Sequence, residues 1–217
     1  MGSDNLFEKR KKRLAASLKR SRAKRESYDT VLIVCEGEKT EPYYFEDLRD
    51  ELKLNSANVE ITGDTKGSSP ITIVDYGLKQ FGEYDRIYCV FDKDRHDSYK
   101  QALDKIRRQK PSKTCTIKAI TSVPCFEFWI LLHFRMTTRN FATSSGSICA
   151  QVISELKKFI PEYEKGTLGV YLQLKDKLPT AIKNAREVAK YCQQAGTDHP
   201  STQIAELVIY LQNLKKS

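Results

Sequence analysis

Residues 30–35 (TVLIVC) form a β-branched, almost wholly apolar run, the pattern of a strand covered on both faces. Glu36-Gly37-Glu38 breaks the run. Pro42 then suits a first helical position, with Phe45, Leu48 and Leu52 following at helical spacing. Residues 59–62 (VEIT) fit a short strand and residues 63–69 a loop, and Pro70 opens a segment with Ile73, Val74 and Leu78 on one face. Residues 86–91 (RIYCVF) make the next buried strand, ended by Asp92-Lys93-Asp94. Tyr99, Leu103 and Ile106 mark a helix that stops before Pro111, residues 114–121 a fourth strand, and Pro124 precedes an apolar helix carrying Phe126, Trp129, Ile130 and His133.

Strand and helix alternating four times predict an α/β fold: a mostly parallel four-stranded sheet with right-handed crossovers, flanked by helices. From about Ser147 the strands are expected to stop. Ser147 is placed to cap a helix with Val152, Leu156, Phe159 and Ile160 inward, ended by Pro161. A second helix follows Pro179 with Ile182, Ala185, Val188 and Ala189, and a last one begins near Ser201 with Ile204, Leu207, Val208 and Leu211. The organisation predicted is an arm (1–28), an α/β core (29–135) and a C-terminal helical region (136–217) packed on that core.

The length of 217 residues and the 40% hydrophobic, 30% charged composition suit a globular chain with a sizeable core. Charge changes this picture at one end. Ten Lys or Arg residues lie between Lys9 and Arg25 against three acids in residues 1–26, so about +7 of the net +9 belongs to the arm and the body is nearly neutral. Such an arm, Arg10, Lys11, Lys12 and Arg13 included, is suited to neutralising phosphates, though charge runs of this kind are often solvated tails. Leu14 and Leu18 could form one face of a basic helix on a partner or RNA. The longest apolar runs, 31–35 and 128–132, are too short to span a membrane, and nothing near the N-terminus resembles a secretory signal, so a cytoplasmic location is expected. Six cysteines stand at 35, 89, 115, 125, 149 and 192 with no CxxC pair. That spacing argues against a zinc-thiolate site and for buried, reduced thiols.

The chemistry lies at the strand ends. In a parallel sheet, ligands gather outside the carboxyl ends of the strands. Glu36 follows the first strand, with Gly37 allowing a tight turn, and Asp92 and Asp94 follow the third, two residues apart and so able to face one point. Convergent carboxylates repel one another unless a hard cation sits between them, and Mg²⁺ (or Mn²⁺) fits an all-oxygen donor set. A lone DxD is often only a solvated turn; paired with an EG turn at a second strand end it becomes informative.

The order apolar strand–Glu–Gly, helix, strand, helix, apolar strand–DxD resembles the Toprim domain of topoisomerases, primases and OLD-type nucleases. VLIVCEGEKTEPYYF, VFDKDRH, SVPCFEFWILLHF and the late HPST resemble the RloB-like family more closely, from about Val31 to the C-terminus. The resemblance implies a Toprim (Rossmann-like) fold, Mg²⁺ chemistry on nucleic-acid phosphodiesters (DNA, or RNA such as tRNA), and a role in bacterial anti-phage defence, often beside an ATPase partner. It puts Glu36 at the catalytic glutamate and Asp92 and Asp94 at the DxD. Glu41 is the implied second acid, with a spacing one residue longer than in OLD-type nucleases, which leaves Glu38 in play. The chain lacks a tyrosine-centred strand-passage apparatus, so cutting is favoured over topoisomerisation.

Other residues carry weaker signals. Lys39, Lys93 and Arg95 adjoin the acids and could touch a scissile phosphate, or simply be solvated neighbours. His96 is a candidate general acid or base. Glu127 would sit in a first helical turn, where the helix dipole alone favours an acid, although the family motif suggests a supporting role. His133 lies about 120° around that helix from Glu127, on a stripe with Phe126 and Ile130, and reads as a core histidine with one hydrogen bond. Residues 64–69 have phosphate-loop composition without the GxxxxGK[ST] arrangement. Two other functions compete with the nuclease: a non-catalytic nucleic-acid-binding or regulatory subunit of an ATPase-containing complex, and a phosphatase using an aspartyl-phosphate. The last normally carries its DxD on the first strand, unlike this chain.

Overall fold

A computed structural model of the chain describes residues 28–63, 67, 69–93, 98–110, 112–141 and 147–216. Five strands form one sheet in the order β2-β1-β3-β4-β5: β1 (Val31–Cys35), β2 (Val59–Thr62), β3 (Arg86–Asp92), β4 (Thr116–Val123) and β5 (Ser201–Thr202). The first four are mutually parallel and β5 pairs antiparallel with β4. Crossover helices α1 (Thr40–Glu51), α2 (Pro70–Lys79) and α3 (Ser98–Arg107) link them, and α4 (Glu127–Leu131) leaves β4. The sheet is thus the mostly parallel, helix-flanked one expected of a Toprim-like chain, followed by α5 (Ile148–Leu156), α6 (Val170–Leu174), α7 (Leu178–Ala195) and α8 (Ile204–Asn213).

Both faces of the sheet are covered, which explains the unbroken VLIVC run. Val31, Ile33 and Cys35 of β1 point into a large core shared with α1, α4 and the C-terminal helices. Leu32 and Val34 point the other way, into a smaller core with Ile73 and Val74 of α2 and Tyr99 and Ala102 of α3. Pro70 opens α2 as the sequence predicts, and Ser69, assigned to the loop, caps it by accepting from the Thr72 N–H at 3.4 Å. In α7, Leu178, Ala181, Ala185, Val188 and Cys192 recur at helical spacing and are buried, and Gly196 ends the helix at φ +65°.

Three expectations need correction. Strands do not stop at Ser147: Ser201–Thr202 adds a fifth strand on the β4 edge, and the last helix starts at Ile204 instead of near Ser201. Two residues are too short to leave a periodic signal, and only the exposed edge of β4 creates this strand. Phe159 is not inward: α5 ends at Leu156 and Phe159 is 41% exposed. The helix after Pro124 covers only Glu127–Leu131 before loosening into turns that contain His133. Among the described residues, no helix is long and apolar enough to cross a membrane.

Candidate active site

Register brings the strand ends level. Cys35 pairs with Val90, and Asp92 with Ser122, so the residues after β1 and at the end of β3 meet at one edge. The Glu36 N–H donates to the Val90 carbonyl at 3.0 Å, and Glu36 Oε2 accepts from the Asp92 N–H at 2.8 Å. The first acid is therefore held by the backbone of the second.

Glu41, in the first turn of α1, is buried and turns back toward the same edge. Its carboxylate lies over Gly37: a Cβ on Gly37 would stand 2.2 Å from Glu41 Oε2. Gly63, beyond β2, lies as close from the other side, where a Cβ would be 2.3 Å from the Gly37 carbonyl oxygen. At Gly63 the added carbon would meet backbone atoms of the loop after β1, whereas at Gly37 it would meet only the end of the Glu41 side chain.

Glu127 opens α4 with its side chain almost wholly buried. It accepts from Cys149 Sγ at 3.0 Å and from the Tyr163 hydroxyl at 3.4 Å, and pairs with Lys165 Nζ at 3.3 Å. Burial works against the charge on Lys165, but Glu127 together with Cys149 and Cys125 more than offsets it and raises the pKa of that ammonium above its ordinary value.

These side chains enclose one open cavity of about 470 Å³, lined by Glu36, Glu41, Asp92, Glu127 and Lys165, with Glu38 and Lys39 exposed on its rim. Four carboxylates thus share the cavity with two lysines, Lys39 and Lys165, both solvent-exposed. Loss of hydration, then the negative charge of Glu127 and Glu36, pushes Glu41 up to about 7, against the opposing hydrogen bond from its own N–H. Burial, then Glu41, Glu127 and Glu36, pushes Asp92 well above the usual carboxylate range, partly offset by a hydrogen bond from the Phe126 N–H. Carboxyls forced to hold protons at neutral pH form a site that a divalent cation relieves, and their all-oxygen donor set suits a hard ion. Beside them, Cys125, Glu127 and Cys149 bring ligand atoms within 4.8 Å of one another, a cluster capable of holding a metal. All six cysteines are buried and unbridged.

Of the residues singled out from the sequence, the fold brings Glu36, Asp92, Glu41, Glu38 and Lys39 together. Lys93 turns away: its N–H bonds to the Ser122 carbonyl at 2.9 Å, and its ammonium pairs with Asp198 and lies 5.9 Å from the Tyr99 ring centre. Asp94, Arg95, His96 and the arm with Arg10, Lys11, Lys12 and Arg13 lie outside the described residues. His133 is the core histidine expected, buried, with Nδ1 3.1 Å from the Trp129 carbonyl, and burial lowers its pKa to about 4. Tyr163, Lys165 and Cys149 were not foreseen. Cys149 and Cys125 are too far apart in sequence for a spacing rule, and the one available signal was the polar YEKG at 163–166, whose Gly166 has φ +77° and donates its N–H to Thr40 Oγ1 at 2.9 Å.

A protein-family model described as "RloB-like protein" matches residues 31–211. No curated protein and no solved structure matches the chain.

Proposed function

Because the chain belongs to the RloB-like family, we propose that it is a metal-dependent nuclease cutting phosphodiester bonds of DNA or RNA, an effector of anti-phage defence that works with an ATPase partner. The observation that carries this reading is the convergence of Glu36, Glu41, Asp92 and Glu127 on one cavity at the carboxyl edge of a parallel sheet. Glu36, Asp92, Asp94 and Glu41 are the proposed ligands for Mg²⁺ or Mn²⁺. When bound, such a cation supplies Lewis-acid polarisation of a phosphoryl oxygen and stabilises the leaving oxygen.

The chain's own residues do the rest. The Asp92 N–H fixes Glu36 so that it does not have to be ordered on binding. Lys165, oriented by Glu127, places a permanent positive charge on the cavity wall within reach of a phosphate. Lys39 does the same from the rim, and the basic arm adds sequence-independent affinity. Among described residues, Glu41 is favoured over Glu38 as the auxiliary acid, since it is buried against Gly37 while Glu38 is exposed.

The reading is tested with purified protein, Mg²⁺ or Mn²⁺, and the ATPase encoded beside it, on labelled plasmid, single-stranded DNA and tRNA. Cutting of any one supports it. Cutting of none, with cation binding intact, leaves the non-catalytic subunit as the function. Gly37→Ala provides a finer test. The added methyl drives the Glu41 carboxylate aside, a cheap move for a side-chain end, so we expect about 1 kcal/mol of lost stability and a melting temperature about 3 °C lower. Cation affinity measured by calorimetry falls at least about tenfold. Unchanged affinity would remove Glu41 from the site.

A further inference from the structure

A second surface lies one short helix away from the cavity. α4 carries Glu127 at its start, and the turns that follow it end at Phe134. Tyr163, which contacts Glu127, follows Phe159 by four residues. Phe134 and Phe159 meet there as a stacked pair, ring centres 5.0 Å apart and planes within 12°. The Lys177 ammonium lies over the Phe134 ring, 5.6 Å from its centre. The order is thus cation, ring, ring. Phe159, the last member, keeps 41% of its surface exposed.

Arg135 and Lys158, the chain neighbours of Phe134 and Phe159, help line a pocket of about 270 Å³ whose cations are gathered by one carboxylate. Glu155 accepts from Arg139 at 3.1 Å and Lys158 at 2.8 Å, and Arg135 stands 3.9 Å away. Hydrogen bonding by Lys158, with the charges of Lys158, Arg139 and Arg135, lowers the Glu155 carboxyl below its ordinary value against the opposing effect of burial. The three cations keep more than half of their side-chain surface in solvent, so two positive charges remain uncompensated next to an exposed aromatic face.

A flat aromatic face flanked by solvent-facing guanidinium and ammonium groups is how proteins hold unpaired nucleic acid: a base stacks on the ring and its phosphates meet the cations. A duplex cannot use such a face, because its bases are already stacked on each other. We infer that Phe159, with Arg139, Lys158 and Arg135, forms a stacking platform for a single-stranded segment of nucleic acid. The inference rests on the nuclease reading and narrows its substrate to nucleic acid with an unpaired stretch next to the bond that is cut. Acidic protein segments also suit such a charge, but they do not require the ring face to be open.

The test is fluorescence anisotropy of the full chain in EDTA, where nothing is cut, with labelled oligothymidylate, oligouridylate and a duplex of the same length. Wild type binds the single strands more tightly than the duplex. Phe159→Ala weakens single-strand binding about tenfold and leaves duplex binding nearly unchanged, while Phe159→Trp restores it. Arg139→Ala and Lys158→Ala each lower the salt slope of single-strand binding by about 0.7. If Phe159→Ala and Arg139→Ala, both folded by thermal melt, bind the strands as wild type does, the platform is wrong. Binding of this pattern by a protein that cuts nothing sustains the platform and overturns only the nuclease reading.

Discussion

Asp92→Asn lowers cleavage about a thousandfold while the chain stays folded. Asp92 ends β3, where strand pairing with β1 and β4 fixes its backbone, and the N–H that holds Glu36 belongs to that backbone, so an asparagine preserves it. With a cation bound, the change removes one carboxylate from a group of four and leaves shape and register alone. It therefore separates the site's electrostatics from its architecture. In metal-free protein at neutral pH the same substitution raises the melting temperature, because it relieves the crowding that pushes Asp92 and Glu41 upward. A site built for stability would respond in the opposite way. Cutting at the wild-type rate by Asp92→Asn would take Asp92 out of the reaction.

Glu41→Gln makes the second large change, and its sign depends on pH and metal. In the folded, metal-free chain Glu41 is pushed up to about 7 from an ordinary 4.5. The folded state then holds a proton that the unfolded chain has released. Stability from this group is complete below pH 4.5, is lost as pH rises toward 7, and the loss amounts to about 3 kcal/mol. Glutamine has no proton to lose. In EDTA, the stability of Glu41→Gln relative to wild type therefore climbs by about 3 kcal/mol between those limits, read from urea denaturation at a series of pH values. Saturating Mg²⁺ narrows the gap, because it stabilises the wild type more than the variant. A difference that stays flat with pH would mean that Glu41 is solvated and does not share the cavity.

What the sequence disclosed and what it withheld follow one physical division. β1 to β3 and their crossover helices are legible because each is a local pattern: VLIVC and RIYCVF are apolar on both faces, Pro70 opens a helix, and strand-end acids follow from the rule for parallel sheets. Glu36 and Asp92 are legible as strand-end acids for the same reason, whereas Glu41 was suggested only by the family resemblance, with Glu38 as its alternative. Glu127 was ambiguous because a first-turn acid has an ordinary explanation in the helix dipole. Its meaning depends on Tyr163 and Lys165, which reach it from a loop more than thirty residues later. Cys125 and Cys149 likewise become neighbours only through the packing of α4 on α5. β5 exists because β4 has an edge to fill, and the Phe134–Phe159 stack because α5 ends one turn earlier than its apolar residues suggest.

The most direct measurement titrates Mn²⁺ into wild type and Asp92→Asn, following bound Mn²⁺ by its paramagnetic signal and cleavage of labelled single-stranded DNA and tRNA in the same samples. Occupancy and cutting are expected to rise together in wild type, EDTA to reverse both, and Asp92→Asn to lack both. Cutting that persists in EDTA, or an Asp92→Asn protein that cuts like wild type, would contradict metal-dependent cutting at this site.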